Sequence, residues 1–163
     1  MRSTDDWAAI WLATRLTVRV GGRTLDLDAP SPAGWAAAIA PLSSPVVLVT
    51  AWNPQGLGTD RAVNRAANRA LRRVLHDRGM PCRPALGRAR DGSWAEPGFA
   101  VGGLDETGAA RLGEEWGQLA VYLIDRREVA VLASDGSFRF VRARGNAGDE
   151  ASPPEADPPA GLG

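Results

Sequence analysis

The chain has 163 residues, 44% hydrophobic and 23% charged, which is room for one domain with a sizeable core and not for two. Nineteen basic residues, every one an arginine, balance nineteen acidic ones; the Arg-for-Lys bias beside abundant Ala, Gly and Pro reflects a GC-rich genome and carries little about function. A single cysteine (Cys82) and a single histidine (His76) exclude an internal disulfide and a His/Cys metal cluster within one chain, and no run approaches the ~18 apolar residues of a membrane helix, so a cytoplasmic protein without metal or cofactor is expected.

The first residues, MRSTDDWAAIWLATRL, place Asp5 and Asp6 ahead of a short apolar segment, without the basic start or the length of a signal peptide. Next, LTVRV and RTLDLD alternate apolar and polar residues around Gly21-Gly22 and predict a hairpin. SPAGWAAAIAPL predicts a short helix started by Ser31 and Pro32 and stopped by Pro41. PVVLVTAW lacks alternation and is rich in Val, as expected of a central strand buried on both faces. A long helix is predicted from Asp60 to Asp77, with Thr59 as N-cap and Gly79 ending it. The stretch MPCRPALGRARDGSWAEPG reads as irregular, GFAVGG as a short strand, and Asp105 to Gln118 as a second helix with Ala109, Leu112 and Trp116 on one face. LAVYLI, EVAVLA and SFRFVRA, joined by DRR and SDG, complete a three-strand meander.

These elements predict an α+β fold: a mostly antiparallel sheet with a terminal three-strand meander, packed against two main helices. Residues 1–144 form the single expected domain. Residues 145–163, with four prolines and four acids, predict a disordered Pro/Gly/acidic tail that cannot bury enough surface to offset its ordering entropy. With four of the nineteen acids in that tail, residues 1–144 carry a net charge of +4.

Gly56-Leu57-Gly58 between a strand and a helix resembles a phosphate-binding turn, but Arg61 stands where the dinucleotide fingerprint needs glycine and Pro54 interrupts the turn. A connection between strand and helix is the favoured reading. On the long helix, Asn64 and Asn68 fall in one stripe with Leu71 and Leu75, although Asn is a poor helix former. Two amides at the border of an apolar face imply tertiary partners or a ligand. Arg61, Arg65, Arg69 and Arg73 form an adjacent i, i+4 ladder with Arg72 beside it, and only Asp77 is an obvious local partner.

Glu96 is held extended by Pro97 and flanked by Trp94 and Phe99, an apolar setting that raises a carboxyl pKa toward general acid/base use. It is the best catalytic candidate; the competing reading is a buried ion pair with Arg65 or Arg69. Asn53, which precedes Pro54 at a strand end, is expected to be extended. Gln118 either contacts a ligand or caps its helix. No G-x-S-x-G, catalytic His or carboxylate metal site stands out.

The stretches VTAWNPQG, NRAANRALRRVL, GRARDGSWAEPGFAVGGL and WGQLAVYLI resemble, in order and spacing, the sequence blocks of the DUF3293 family, small bacterial proteins with no established activity. The resemblance covers roughly residues 46–132. It implies a polar site at Asn53 and Pro54, at Asn64 and Asn68 with their neighbouring arginines, at Glu96 and at Gln118, and supplies no substrate.

Two readings stay open. One is a small-molecule site for a nucleotide- or sugar-like ligand, in which Asn53, Asn64, Asn68 and Gln118 hydrogen-bond a polar or anionic group, Arg65 or Arg69 supplies charge and Glu96 moves a proton. The other is a non-enzymatic interaction module whose Arg-rich helix, residues 60–78, binds an acidic protein or RNA. The modest net charge and the absence of an aromatic-studded basic strand argue against nucleic acid. A polar cluster that only staples the fold would behave differently from both, costing stability alone when broken. A monomer or weak homodimer is expected.

Overall fold

The computed structural model describes residues 4–28, 32–40 and 42–144. It opens with helix α1 (Thr4–Ala13) and the hairpin of β1 (Arg15–Val20) and β2 (Arg23–Asp26), then helix α2 (Pro32–Ile39) and strand β3 (Val46–Val49). Helix α3 (Arg61–Asp77), strands β4 (Cys82–Arg88) and β5 (Ala95–Gly102), helix α4 (Glu106–Glu115) and strands β6 (Ala120–Ile124), β7 (Glu128–Ala133) and β8 (Arg139–Ala143) follow. All eight strands join one sheet in the order β2-β1-β4-β5-β3-β6-β7-β8, and every pairing between neighbours is antiparallel. The fold is therefore α+β with an antiparallel sheet, as expected. The expected disordered tail, 145–163, lies outside the described residues. Among them no helix is long and apolar enough to cross a membrane.

Strand β3 sits between β5 and β6, and all four of its residues are buried. Because side chains alternate along a strand, Val46 and Leu48 pack with Trp35 of α2, Leu16, Val18 and Ile124 on one face. Val47 and Val49 pack with Leu71 and Leu75 of α3 and Leu112 of α4 on the other. The sheet thus separates two apolar clusters, and the opposite faces of its strands look into different surroundings.

Two elements depart from expectation. The stretch read as irregular contains β4, whose proline hid it: Pro84 lies one residue past Ala85, the last β4 residue paired with β1, where the strand is open on that side and a missing N–H is tolerated. The N-terminal segment forms α1, with Asp5 and Asp6 in its first turn favouring the positive end of the helix dipole. Its C-terminal end is held from far along the chain, since Arg142 of β8 donates to the carbonyls of Leu12 and Thr14 at 3.0 and 2.8 Å.

Helix ends differ by one to three residues from expectation. Asp60, not Thr59, caps α3, accepting from the N–H groups of Ala62 and Val63. Gly79 (φ 65°) ends it with Met80 N–H bonded to Leu75 O and Gly79 N–H to His76 O, the paired bonds of a Schellman cap. Gly117 (φ 67°) ends α4 in the same way, with Gln118 N–H bonded to Gly113 O. That is why α4 stops before Gln118.

Arg142 also pairs with Asp28 at 2.9 Å, and Arg144 donates to the carbonyl of Leu27 while its guanidinium lies 4.3 Å from the Trp35 ring centre. Leu27 and Asp28 follow β2, so the two outer strands of the sheet are tied together and the sheet curls on itself. Helix α1 lies against β8 at this junction.

Candidate functional site

Beyond β3 the chain is fixed by side chains from α3. The Asn68 amide oxygen accepts from Ala51 N–H at 2.8 Å and its nitrogen donates to the carbonyl of Pro97 at 2.7 Å, joining the end of β3 to β5. Asn64, 1% exposed, accepts from the backbone N–H of Asn53 at 2.9 Å and donates to Asn53 Oδ1 and the Thr59 carbonyl. Both amides are thus occupied inside the fold, which explains two poor helix formers on one stripe of α3.

Asn53 is not extended. Its backbone is left-handed (φ 47°, ψ 60°), a region that asparagine enters more readily than other residues with a side chain. The pre-proline preference is overridden because four hydrogen bonds converge on this residue: its N–H and Oδ1 engage Asn64, Oδ1 also accepts from Thr59 N–H, and Nδ2 donates to Glu96 Oε1 at 2.9 Å. The following turn, Pro54–Gly56, is anchored to the end of α4 through Gln55 N–H on the Gly117 carbonyl at 2.7 Å.

Glu96 on β5 lies opposite Gly87 of β4, on the sheet face of Gly98 and Ala100. Burial pushes its carboxyl pKa up, and the Asn53 hydrogen bond opposes that shift in part. Among the described residues no cation pairs with it, so the ion pair with Arg65 or Arg69 does not form. Tyr122 on β6 donates to the Trp11 carbonyl at 3.1 Å, and burial, its main influence, pushes its phenol pKa up, with the nearby Glu96 charge adding to the shift. Gln118 donates through Nε2 to the Trp52 carbonyl at 3.2 Å.

Asn53, Glu96, Gln118 and Tyr122 border one cavity of about 990 Å³, together with Leu48, Thr50, Trp94 and the Gly56–Gly58 stretch. Its wall toward α1 is aromatic. Trp7 stacks on Trp11 (5.6 Å between ring centres), Trp11 on Phe138 (5.2 Å) and Phe138 on Phe140 (4.9 Å). Gly56 is left-handed (φ 67°), and a Cβ there would stand 2.8 Å from the Trp7 ring, so its lack of a side chain lets this wall close on the turn.

Arg65 and Arg69 are elsewhere. They line a separate groove with Arg61, Arg72, Pro97 and Phe99, on the opposite face of β5 from Glu96. The expected set therefore divides into Asn53, Glu96 and Gln118 around the large cavity, Asn64 bonded behind Asn53 as a support, and Asn68 in the groove with the arginines beyond the sheet. Trp7, Trp11 and Phe138 were not expected at the site; the i, i+4 spacing of Trp7 and Trp11 in the N-terminal segment is the signal that could have found them. His76 is exposed beside Asp77, and Cys82 is a half-buried free thiol whose pKa is raised by burial. Among the described residues no three His, Cys, Asp or Glu side chains cluster as a metal site.

Residues 49–121, which contain Asn53, Asn64, Asn68, Glu96 and Gln118, match the model of one protein family, described as a protein of unknown function (DUF3293). No curated protein and no solved structure matches the chain.

Proposed function

We propose that the DUF3293 segment of this chain builds, with α1 and the turn between β7 and β8, a binding site for a small polar ligand of nucleotide-like or sugar-like character, in which Glu96 acts as general acid/base. The observation that carries this reading is a half-buried carboxyl with no cationic partner among the described residues, held through one oxygen by Asn53 and bordering an aromatic-walled cavity. A carboxyl with a raised pKa exchanges protons nearer neutrality than a solvated one. Gln118 can both donate to and accept from a ligand, and planar rings suit stacking on indoles. The cavity lies near the upper end of the range typical of small-molecule sites. In this reading Asn64 and Asn68 hold the site without touching ligand.

A thermal-shift screen of nucleosides, nucleotides and sugars tests it. At least one class is expected to stabilise the protein, and Glu96→Gln and Gln118→Ala are each expected to weaken that ligand by about tenfold, the scale of one lost hydrogen bond to a charged group. A ligand shift that survives both substitutions unchanged would overturn the assignment.

The protonation of Glu96 has its own readout. Below the ordinary carboxylate range the carboxyl is protonated in both folded and unfolded chains, so its raised folded pKa has no effect on stability. As pH rises from the ordinary carboxylate range through the raised folded value, the unfolded chain ionises first, so stability falls across that window from its value in acid. Glu96→Gln keeps an acceptor for Asn53 Nδ2 and removes the ionisation. Its unfolding midpoint is therefore expected to gain on wild type as pH goes from acid to neutral, and a difference that does not change with pH would place Glu96 in a solvated setting.

A further inference from the structure

We propose that the groove between α3 and the β1–β2 hairpin is a second binding site, for a small oligophosphate anion. The groove has a volume of about 680 Å³ and is lined by Arg61, Arg65, Arg69 and Arg72 of α3, by Arg19 of β1 and by Trp52. No carboxylate lines it, and among the described residues none of these five arginines makes an ion pair. Four arginines outside the groove do find carboxylates: Arg15, Arg78, Arg139 and Arg142 pair with Asp26, Glu115, Glu106 and Glu128, and Asp28. Five guanidinium groups brought together from two elements repel one another, and a bound polyanion removes that cost.

The chemistry of the lining narrows the occupant. Guanidinium forks match phosphate oxygens in bidentate pairs, and several in one groove call for several anionic groups on one ligand. The volume is that of a small-molecule site. The Asn68 amide on the groove floor is already committed to Ala51 and Pro97, so the arginines carry recognition. Trp52 offers a π-face for a base attached to the phosphate chain. Because this groove and the Glu96 cavity lie on opposite faces of the sheet, the two sites stand or fall separately.

Calorimetric titration of the full-length protein with inorganic tripolyphosphate, with ATP and with a short single-stranded RNA tests the assignment, using wild type and the Arg65→Gln/Arg69→Gln double variant, whose positions are exposed. Saturable binding of tripolyphosphate or ATP is expected, weakened by added salt and by about tenfold or more in the double variant. Tighter binding of ATP than of tripolyphosphate assigns the base to Trp52; equal binding assigns recognition to the phosphate chain alone. Absence of saturable binding, equal binding by the variant with its fold intact by circular dichroism, or binding of RNA only would overturn the proposal. The thermal shift given by Glu96-cavity ligands, measured on the same double variant, keeps a failure here distinct from a failure there.

Discussion

Replacing Asn64 with alanine is expected to destabilise the fold by about 3 kcal/mol, the sum of lost net hydrogen bonds and of buried groups left without partners. The substitution removes the acceptor for the Asn53 N–H and the donor to Asn53 Oδ1 and the Thr59 carbonyl at a position 1% exposed. Water cannot easily replace them. Asn64→Asp separates the two halves of the role, because it keeps the acceptor while losing the donor and adding a charge. Urea unfolding of both variants measures the effect, and an alanine variant within about 0.5 kcal/mol of wild type would show that Asn53 does not need this support. Since Asn64 holds Asn53 in its left-handed conformation, and Asn53 holds Glu96, ligand affinity is expected to fall along with stability.

The second large effect belongs to Arg142. Changing it to methionine keeps much of the apolar stem and removes three contacts together: the carbonyls of Leu12 and Thr14 lose their donors and Asp28 loses its cation. The two side chains of the ion pair are only 16% and 17% exposed, so an unpaired Asp28 is expected to cost about 3 kcal/mol. Burial already raises the Asp28 pKa, with Arg142 opposing the rise. Without Arg142 the folded value goes higher still, so the variant is expected to lose more stability than wild type as pH rises and to come closest to it in acid, where Asp28 is protonated in both states. Adding Asp28→Asn should recover much of the loss in a double-mutant cycle. A deficit independent of pH and unaffected by Asp28→Asn would assign the whole effect to packing of α1.

Sequence periodicity made part of this architecture legible. The Gly21-Gly22 hairpin, the double-sided burial of Val46 to Val49, the Asn64/Asn68/Leu71/Leu75 stripe and the glycine at the end of α3 are local or follow from a single repeat, and they stand in the structure as expected. Strand β4 was not legible because Pro84 speaks against a strand unless the neighbouring register is known. Helix α1 has no fully buried residue and is anchored at its C-terminal end by Arg142, so beyond the i, i+4 spacing of Trp7 and Trp11 its sequence gives no sign of what it packs against. The Asn53 backbone was misread because a two-residue preference was outweighed by bonds to residues 64 and 96. At the candidate site, helical spacing placed Arg65 and Arg69 beside the asparagines correctly, but spacing fixes phase around α3 and not the side of the sheet on which Glu96 lies.

The aromatic row from Trp7 to Phe140 spans nearly the whole described chain, and Arg142 closes onto Leu12 across 130 residues. Contacts of such sequence separation come at a high loop-closure cost and raise the contact order of whatever they complete. The cavity wall is therefore completed only late in synthesis: a nascent chain that stops before Phe138 has neither that ring nor the Arg142 anchor beneath α1.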